Sequence, residues 1–157
     1  MNKYLKLVIS IAIPLLAGFI GSQFTTPQIP TWYAGLVKPS FNPPSWLFGP
    51  VWTLLFILMG IALYIIWQNT KRKKLRDIAM IAFGLQLMLN MLWSILFFGM
   101  QSPGYAFIEI FILWIAIFMN ILLFYRLNKT AGLLLLPYIL WVSFASVLNG
   151  AIYFLNR

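Results

Sequence analysis

Five apolar runs divide this chain, and each is long enough to cross a bilayer. They cover approximately residues 7–24, 46–67, 78–98, 105–125 and 133–154, against the ~20 apolar residues that a helical span requires. Glu109 is the single formal charge inside them. In hydrocarbon every backbone N–H and C=O must be satisfied within the segment, so runs of this length fold as helices. The expected fold is an all-α membrane protein, a five transmembrane helix bundle in a single domain over residues 1–157. Short connections favour sequential antiparallel neighbours, and only residues 25–45 form a long one. The first run follows Lys3 and Lys6, as a secretory signal would. Its length exceeds the ~7–15-residue core of such signals, so it is expected to be retained as a helix. Pro14 and Pro137 fall inside the first and fifth runs and are expected to kink them.

Charge sets the expected orientation. The chain has 11 basic and 2 acidic residues, a net charge of +9. With five spans, Lys3, Lys6, Lys71, Arg72, Lys73, Lys74, Arg76, Arg126 and Lys129 share one side, and only Lys38 and Arg157 fall on the other. Such a bias is the positive-inside pattern of a membrane protein and gives no reason to expect nucleic acid. It places the N-terminus in the cytoplasm and the C-terminus outside, with the plasma membrane favoured and an outer membrane still open. The run "TKRKKLRD" reads as an orientation signal, with an anionic-lipid site as the alternative. Cysteine and histidine are both absent. That removes disulfides, zinc sites, thiolate nucleophiles and the usual haem ligands. Conventional acid–base or nucleophilic catalysis is therefore not expected.

The polar and aromatic residues are not scattered. Gln86, Asn90, Trp93 and Phe97 follow at spacings of four, three and four, which puts them on one helix face with Ser94 beside it. Pro137, Trp141, Phe144 or Ala145, and Leu148 repeat that spacing in the fifth run, and Phe48, Trp52, Leu55 and Met59 line one side of the second. Asn90 lies roughly 12 Å below the end of its helix at 1.5 Å per residue. Trp32, Trp46, Trp67 and Trp114 can form interfacial belts, but Trp52, Trp93 and Trp141 cannot all do so. One reading makes Gln86, Asn90, Ser94 and Asn149 interhelical glue and the tryptophans packing mass. The other makes the three faces an apolar, aromatic pocket for a flat hydrophobic ligand. The stretch "KPSFNPPSWLFGPVW" favours the second, because prolines at 39, 43, 44 and 50 stiffen the loop above those faces into a preformed lid. Glu109 sits about one turn below the end of its helix, so a snorkelling or surface-paired carboxylate is expected, with Lys38 and Arg157 the basic partners on that side.

"WYAGLVKPSFNPPSWLFGPVW", "QLMLNMLWSILFF" and "PYILWVSFASVLN" together resemble the first loop and the second, third and fifth helices of the tryptophan-rich sensory proteins, also called translocator proteins or peripheral-type benzodiazepine receptors. The resemblance covers essentially the whole chain. It implies a pocket beneath the first loop for porphyrins (protoporphyrin or haem) and for isoquinoline carboxamide and benzodiazepine ligands. It also implies a homodimer. Carried over residue by residue, the pocket would comprise Tyr33, Pro43, Trp52, Asn90, Trp93, Ser94, Trp141, Phe144, Ala145 and Leu148. No cofactor is required, and with no histidine or cysteine a tetrapyrrole would be held by its ring and carboxylates. Some family members break down protoporphyrin in light, and the matching tryptophans are Trp52 and Trp141.

Function then divides two ways: a sensor, regulator or transporter that binds porphyrin-like molecules, or a light-dependent oxidative degrader of bound protoporphyrin. Transport has the least support, since no inverted repeat marks an alternating-access machine. Gly150 and Ala151 stand where vertebrate members carry tyrosines, so cholesterol binding is not inferred. Small-xxx-small spacing occurs at Ala17/Gly21, Gly18/Ser22 and Ser146/Gly150, while Gly84 is followed by Met88, leaving the dimer face open.

Overall fold

The computed structural model describes residues 1–69 and 71–157; Thr70, the first residue of the "TKRKKLRD" run, lies outside the described residues. The protein is a multi-pass integral membrane protein, an all-α bundle with, among the described residues, five segments long and apolar enough to span a bilayer. Its helices are α1 (Lys3–Thr25), α2 (Phe48–Trp67), α3 (Lys73–Ser94), α4 (Pro103–Leu127), α5 (Lys129–Leu133) and α6 (Leu136–Leu155). A π-helical turn, Ile95–Gly99, extends α3. Both α1 and α3 begin about a turn before their apolar runs. Backbone hydrogen bonding continues through interfacial polar residues, and at α1 Asn2 Oδ1 accepts the Tyr4 N–H at 3.0 Å.

The prolines act differently from expectation. Pro137 does not kink the fifth span from within. The chain breaks at Leu134–Leu135 and Pro137 lies in the first turn of α6, where its missing N–H costs nothing. Asn128 opens the preceding short α5, its Oδ1 accepting from Ala131 N at 3.1 Å. Pro14 does lie inside α1, and it leaves the Ser10 carbonyl without its intrahelical donor. Gly60 of α2 packs at that spot. A Cβ added there would stand 2.8 Å from Ser10 O and 2.5 Å from Ile11 Cα, so only glycine lets the two backbones meet.

From this crossing α1 leans toward α3. Gly18 rests on the Phe56 ring and Gly21 on Ser94. Helix α4 packs on α3 and α6, but the backbones of α2 and α6 stay apart. Side chains bridge them, with Phe48 meeting Trp141 at 6.1 Å and Trp52 meeting Tyr138 at 6.2 Å between ring centroids. The small-residue positions at Gly18, Gly21 and Gly150 are thus occupied from within the bundle, Gly150 by Phe107.

Polar side chains tie the helices together, as hydrogen-bonding glue does where lipid offers no hydrophobic drive. Trp114 Nε1 donates to Ser143 Oγ at 2.8 Å, so this tryptophan joins α4 to α6 instead of serving an interfacial belt. Asn120 Nδ2 donates to Ala79 O at 3.3 Å and joins α4 to α3. Glu109 also departs from expectation. It is 5% exposed, and neither carboxylate oxygen has a partner among the described residues. It shares the inward face of α4 with Ala106, Ile110 and Leu113, because spacings of three and four lie along one side of a helix. Its expected partners are engaged elsewhere: Lys38 Nζ bonds Leu36 O at 3.0 Å and Arg157 lies over the Phe154 ring.

Candidate ligand-binding cavity

A cavity of about 410 Å³ fills the space between α2 and α6 under the first loop, within the usual range for small-molecule sites. The loop forms a lid. Three short 3₁₀ turns, Thr26–Gln28, Tyr33–Gly35 and Ser45–Leu47, punctuate it. Tyr33 donates its hydroxyl to Asn42 Oδ1 at 2.9 Å, and Asn42 Nδ2 donates to Pro43 O at 3.3 Å. Burial pushes the Tyr33 hydroxyl above its ordinary pKa, with the Asn42 hydrogen bond opposing, so the neutral phenol seals the lid. Lys38 Nζ sits 4.8 Å above the Tyr33 ring. Asn156, at the end of α6, clamps the lid through both of its amide atoms: Val37 N donates to Oδ1 at 2.9 Å, and Nδ2 donates to Val37 O at 2.8 Å.

Under the lid the roof is aromatic. Trp32 meets Phe97 and Phe98 edge-on at 5.7 and 6.4 Å, and Tyr33 lies against the same pair. Both phenylalanines lie in the π turn and are buried, Phe97 2% and Phe98 7% exposed. Trp93 stacks on Phe97 at 5.0 Å and donates its Nε1–H to Asn149 Oδ1 at 3.0 Å. Asn149 Nδ2 in turn donates to Pro103 O at 2.9 Å, fixing the start of α4.

Deeper down, Tyr138 organises a buried chain. Its hydroxyl donates to Gln86 Oε1 at 2.8 Å and accepts from Asn90 Nδ2 at 3.0 Å. Asn90 thus reaches the cavity wall with its amide held in place. Trp141 is the exception. Its ring lines the cavity, while its indole nitrogen is buried away from the open space and has no hydrogen-bond partner among the described residues.

Of the ten residues the resemblance placed in a pocket, eight line this cavity: Tyr33, Trp52, Asn90, Trp93, Ser94, Trp141, Ala145 and Leu148. Pro43 and Phe144 do not. Pro43 belongs to the frame of the lid through its carbonyl. Phe144 stands behind, between the Phe41 ring at 6.3 Å and the Trp141 ring at 5.5 Å. Sequence reasoning missed the α1 wall at Gly18, Gly21 and Ser22, the α4 wall at Ile110 and Leu113, and Phe98. Glycine spacing in α1 was a signal, but it read as a dimer motif. Among the described residues no cluster of acidic side chains could hold a metal, so the chemistry available is stacking, apolar contact and a few fixed hydrogen bonds.

Five membrane-spanning helices around a tryptophan-walled chamber, roofed by a proline-stiffened loop, define a class of small membrane protein. This chain belongs to the TspO/MBR family, whose profile matches residues 10–155. It is 54% identical over 152 residues to the tryptophan-rich protein TspO of Archaeoglobus fulgidus, covering 97% of each chain. To the translocator protein of Homo sapiens it is 35% identical over 143 residues, 89% of this chain and 83% of that one. To the tryptophan-rich sensory protein of Cereibacter sphaeroides it is 34% identical over 118 residues, 75% and 72%.

Proposed function

We propose that the cavity binds porphyrins and similar flat, apolar molecules, and that the protein acts through that binding as a sensor, regulator or transporter. The observation that carries this reading is the aromatic chamber of about 410 Å³ under the lid, walled by Trp52, Trp93 and Trp141. Rings at Trp52, Trp93 and Phe97 supply faces for a planar molecule. Trp141→Phe keeps an aromatic wall but removes part of its stacking face. It is expected to weaken protoporphyrin binding several-fold, the equivalent of about 1 kcal/mol of aromatic contact, as measured by tryptophan quenching in the dark. Unchanged affinity would return Trp141 to packing.

Light-dependent oxidation of bound protoporphyrin is the second reading. Its support is that Trp52 and Trp141 line one chamber, with Tyr138 edge-on to Trp52 at 6.2 Å. An indole would pass an electron to the photoexcited ring, the reduced ring would hand it to molecular oxygen, and the indole radical would take an electron back from the ring; superoxide and the ring radical cation would then combine, both oxygen atoms ending in the product. Illuminating the titrated samples separates the two readings: a degrader loses the Soret band faster than free protoporphyrin does and Trp52→Phe slows that loss, whereas a binder bleaches no faster than the free ligand.

The orientation proposed is N-terminus cytoplasmic and lid outside, in a plasma membrane. The protein is further proposed to pair as a homodimer through α3, where Gly84 is open and Ile81, Leu85 and Met88 are exposed. Single cysteines test both in a chain that has none. Ser40→Cys should react with an impermeant maleimide on intact cells and Thr130→Cys should not, while Met88→Cys should cross-link to a second copy. The reverse labelling pattern overturns the orientation, and failure of the cross-link overturns the α3 pairing.

A further inference from the structure

We infer that ligands reach the cavity sideways from the lipid, through a window between α1 and α2 near the lid, and not through the lid itself. This rests on the cavity being a ligand site. Among the described residues that line the cavity, the walls on α3, α4 and α6 are buried or half-buried. The exposed lining residues are Phe19, Thr26, Ser45, Gly49 and Thr53. All five lie on α1, on α2 or on the turns adjoining them.

The packing explains why the gap is there. Helices α1 and α2 are pinned at Gly60 against Ser10 and Ile11, and again where Gly18 meets Phe56. Beyond Gly18, α1 turns its small residues to α3: Gly21 faces Ser94, and Phe24 packs on Gly99 of the π turn. The two helices therefore diverge toward the lid end. The first turn of α2 is left facing open space, and no heavy atom lies within 4 Å of where a Gly49 Cβ would stand. The rim is also chemically quiet. Thr53 Oγ1 donates to Gly49 O at 2.8 Å and Ser22 Oγ to Phe19 O at 2.7 Å. These hydroxyls are satisfied by their own helices, so they present little polarity to lipid. Above, by contrast, the route is shut by the Trp32 and Tyr33 rings on Phe97 and Phe98 and by the Asn156 clamp on Val37.

The ligand class follows from the route. A molecule admitted this way is one that partitions into the leaflet on the lid side, planar enough to slide past Phe19. Water-soluble compounds of the same size would be excluded whatever their fit to the cavity.

Rates test this directly. A residue that only narrows the route slows association and dissociation alike and leaves Kd unchanged, whereas one that touches the bound ligand shifts Kd, mostly through dissociation. With protoporphyrin in phosphatidylcholine vesicles, stopped-flow quenching would compare Gly49→Trp and Phe19→Ala with a Leu54→Trp control on the lipid-facing side of α2. Because Gly49 and Phe19 also line the cavity, the association rate is the readout: Gly49→Trp should slow it about tenfold and Phe19→Ala should speed it, whereas a change confined to contact with the bound ligand would appear in dissociation alone. Leu54→Trp should match the wild type. Wild-type rates in both window variants overturn the inference, as does a change in Kd through dissociation alone. If Trp141→Phe still weakens binding in that case, the cavity reading survives; if it does not, both fall.

Discussion

Tyr138→Phe should lower the stability of the folded bundle by roughly 2 kcal/mol while leaving its shape intact. The side chain is 1% exposed, and its hydroxyl is at once the donor to Gln86 and the acceptor from Asn90. Removing one oxygen leaves two buried amide groups each short of a partner. In water-soluble proteins each such loss costs about 1–3 kcal/mol. In a membrane the penalty is smaller, because the unfolded chain also finds partners within the bilayer, and measured terms average about 0.6 kcal/mol. The estimate lies between the two additive limits. The double variant with Gln86→Leu should recover part of the loss, since it removes the amide that Tyr138 satisfies. Thermal unfolding in a fixed detergent would check this. A shift equivalent to less than about 0.5 kcal/mol, the range of an ordinary surface change, would mean that the Gln86–Tyr138–Asn90 chain contributes nothing. Because Asn90 also lines the cavity, the same variant should weaken ligand binding by freeing its amide.

The second large effect belongs to Gly60. Alanine there would drive a Cβ to 2.5 Å from a backbone carbon of α1 and 2.8 Å from a backbone oxygen. Neither atom can rotate away, so α1 itself must move. Overpacking of a well-filled interior costs typically 1–3 kcal/mol, and Gly60→Val should exceed that and prevent accumulation of folded protein. Gly18→Ala is milder by the same reasoning, because the neighbour at Gly18 is the Phe56 ring, which can turn aside. Gly49→Ala is the control, with open space around it, and should stay within about 0.5 kcal/mol of the wild type. A Gly60→Ala protein as stable as the wild type would contradict the close α1–α2 crossing, and with it the divergence that opens the window.

Much of the fold is written in the apolar runs, because hydrocarbon leaves a chain of this kind little choice beyond helices of bilayer length. Residues Gln86, Asn90 and Trp93 share a face in the structure as their spacing requires, and Gln86 and Asn90 are buried there. What escaped is what depends on a partner helix. Spacing put Phe97 on the inward stripe but not Phe98, since a π turn inserts a residue that no periodicity announces. The glycines of α1 read equally well as a dimer ridge or as seats for Phe56 and Ser94, and only the packing decides. Glu109 looked close enough to the helix end to reach water. Its helix turns it inward instead, a matter of azimuth that depth alone does not give. Pro137 was misplaced for a simpler reason: the apolar run continues through the break at Leu134–Leu135, so hydrophobicity hid the helix boundary.

Titrating purified protein with protoporphyrin in the dark, in lipid nanodiscs, and following tryptophan quenching and the Soret band distinguishes a ligand site under the lid from a packing defect. Saturable quenching at one porphyrin per chain, weakened in Trp141→Phe, is expected of a ligand site. Quenching that rises linearly without saturation, or that is the same in the variant, would contradict it.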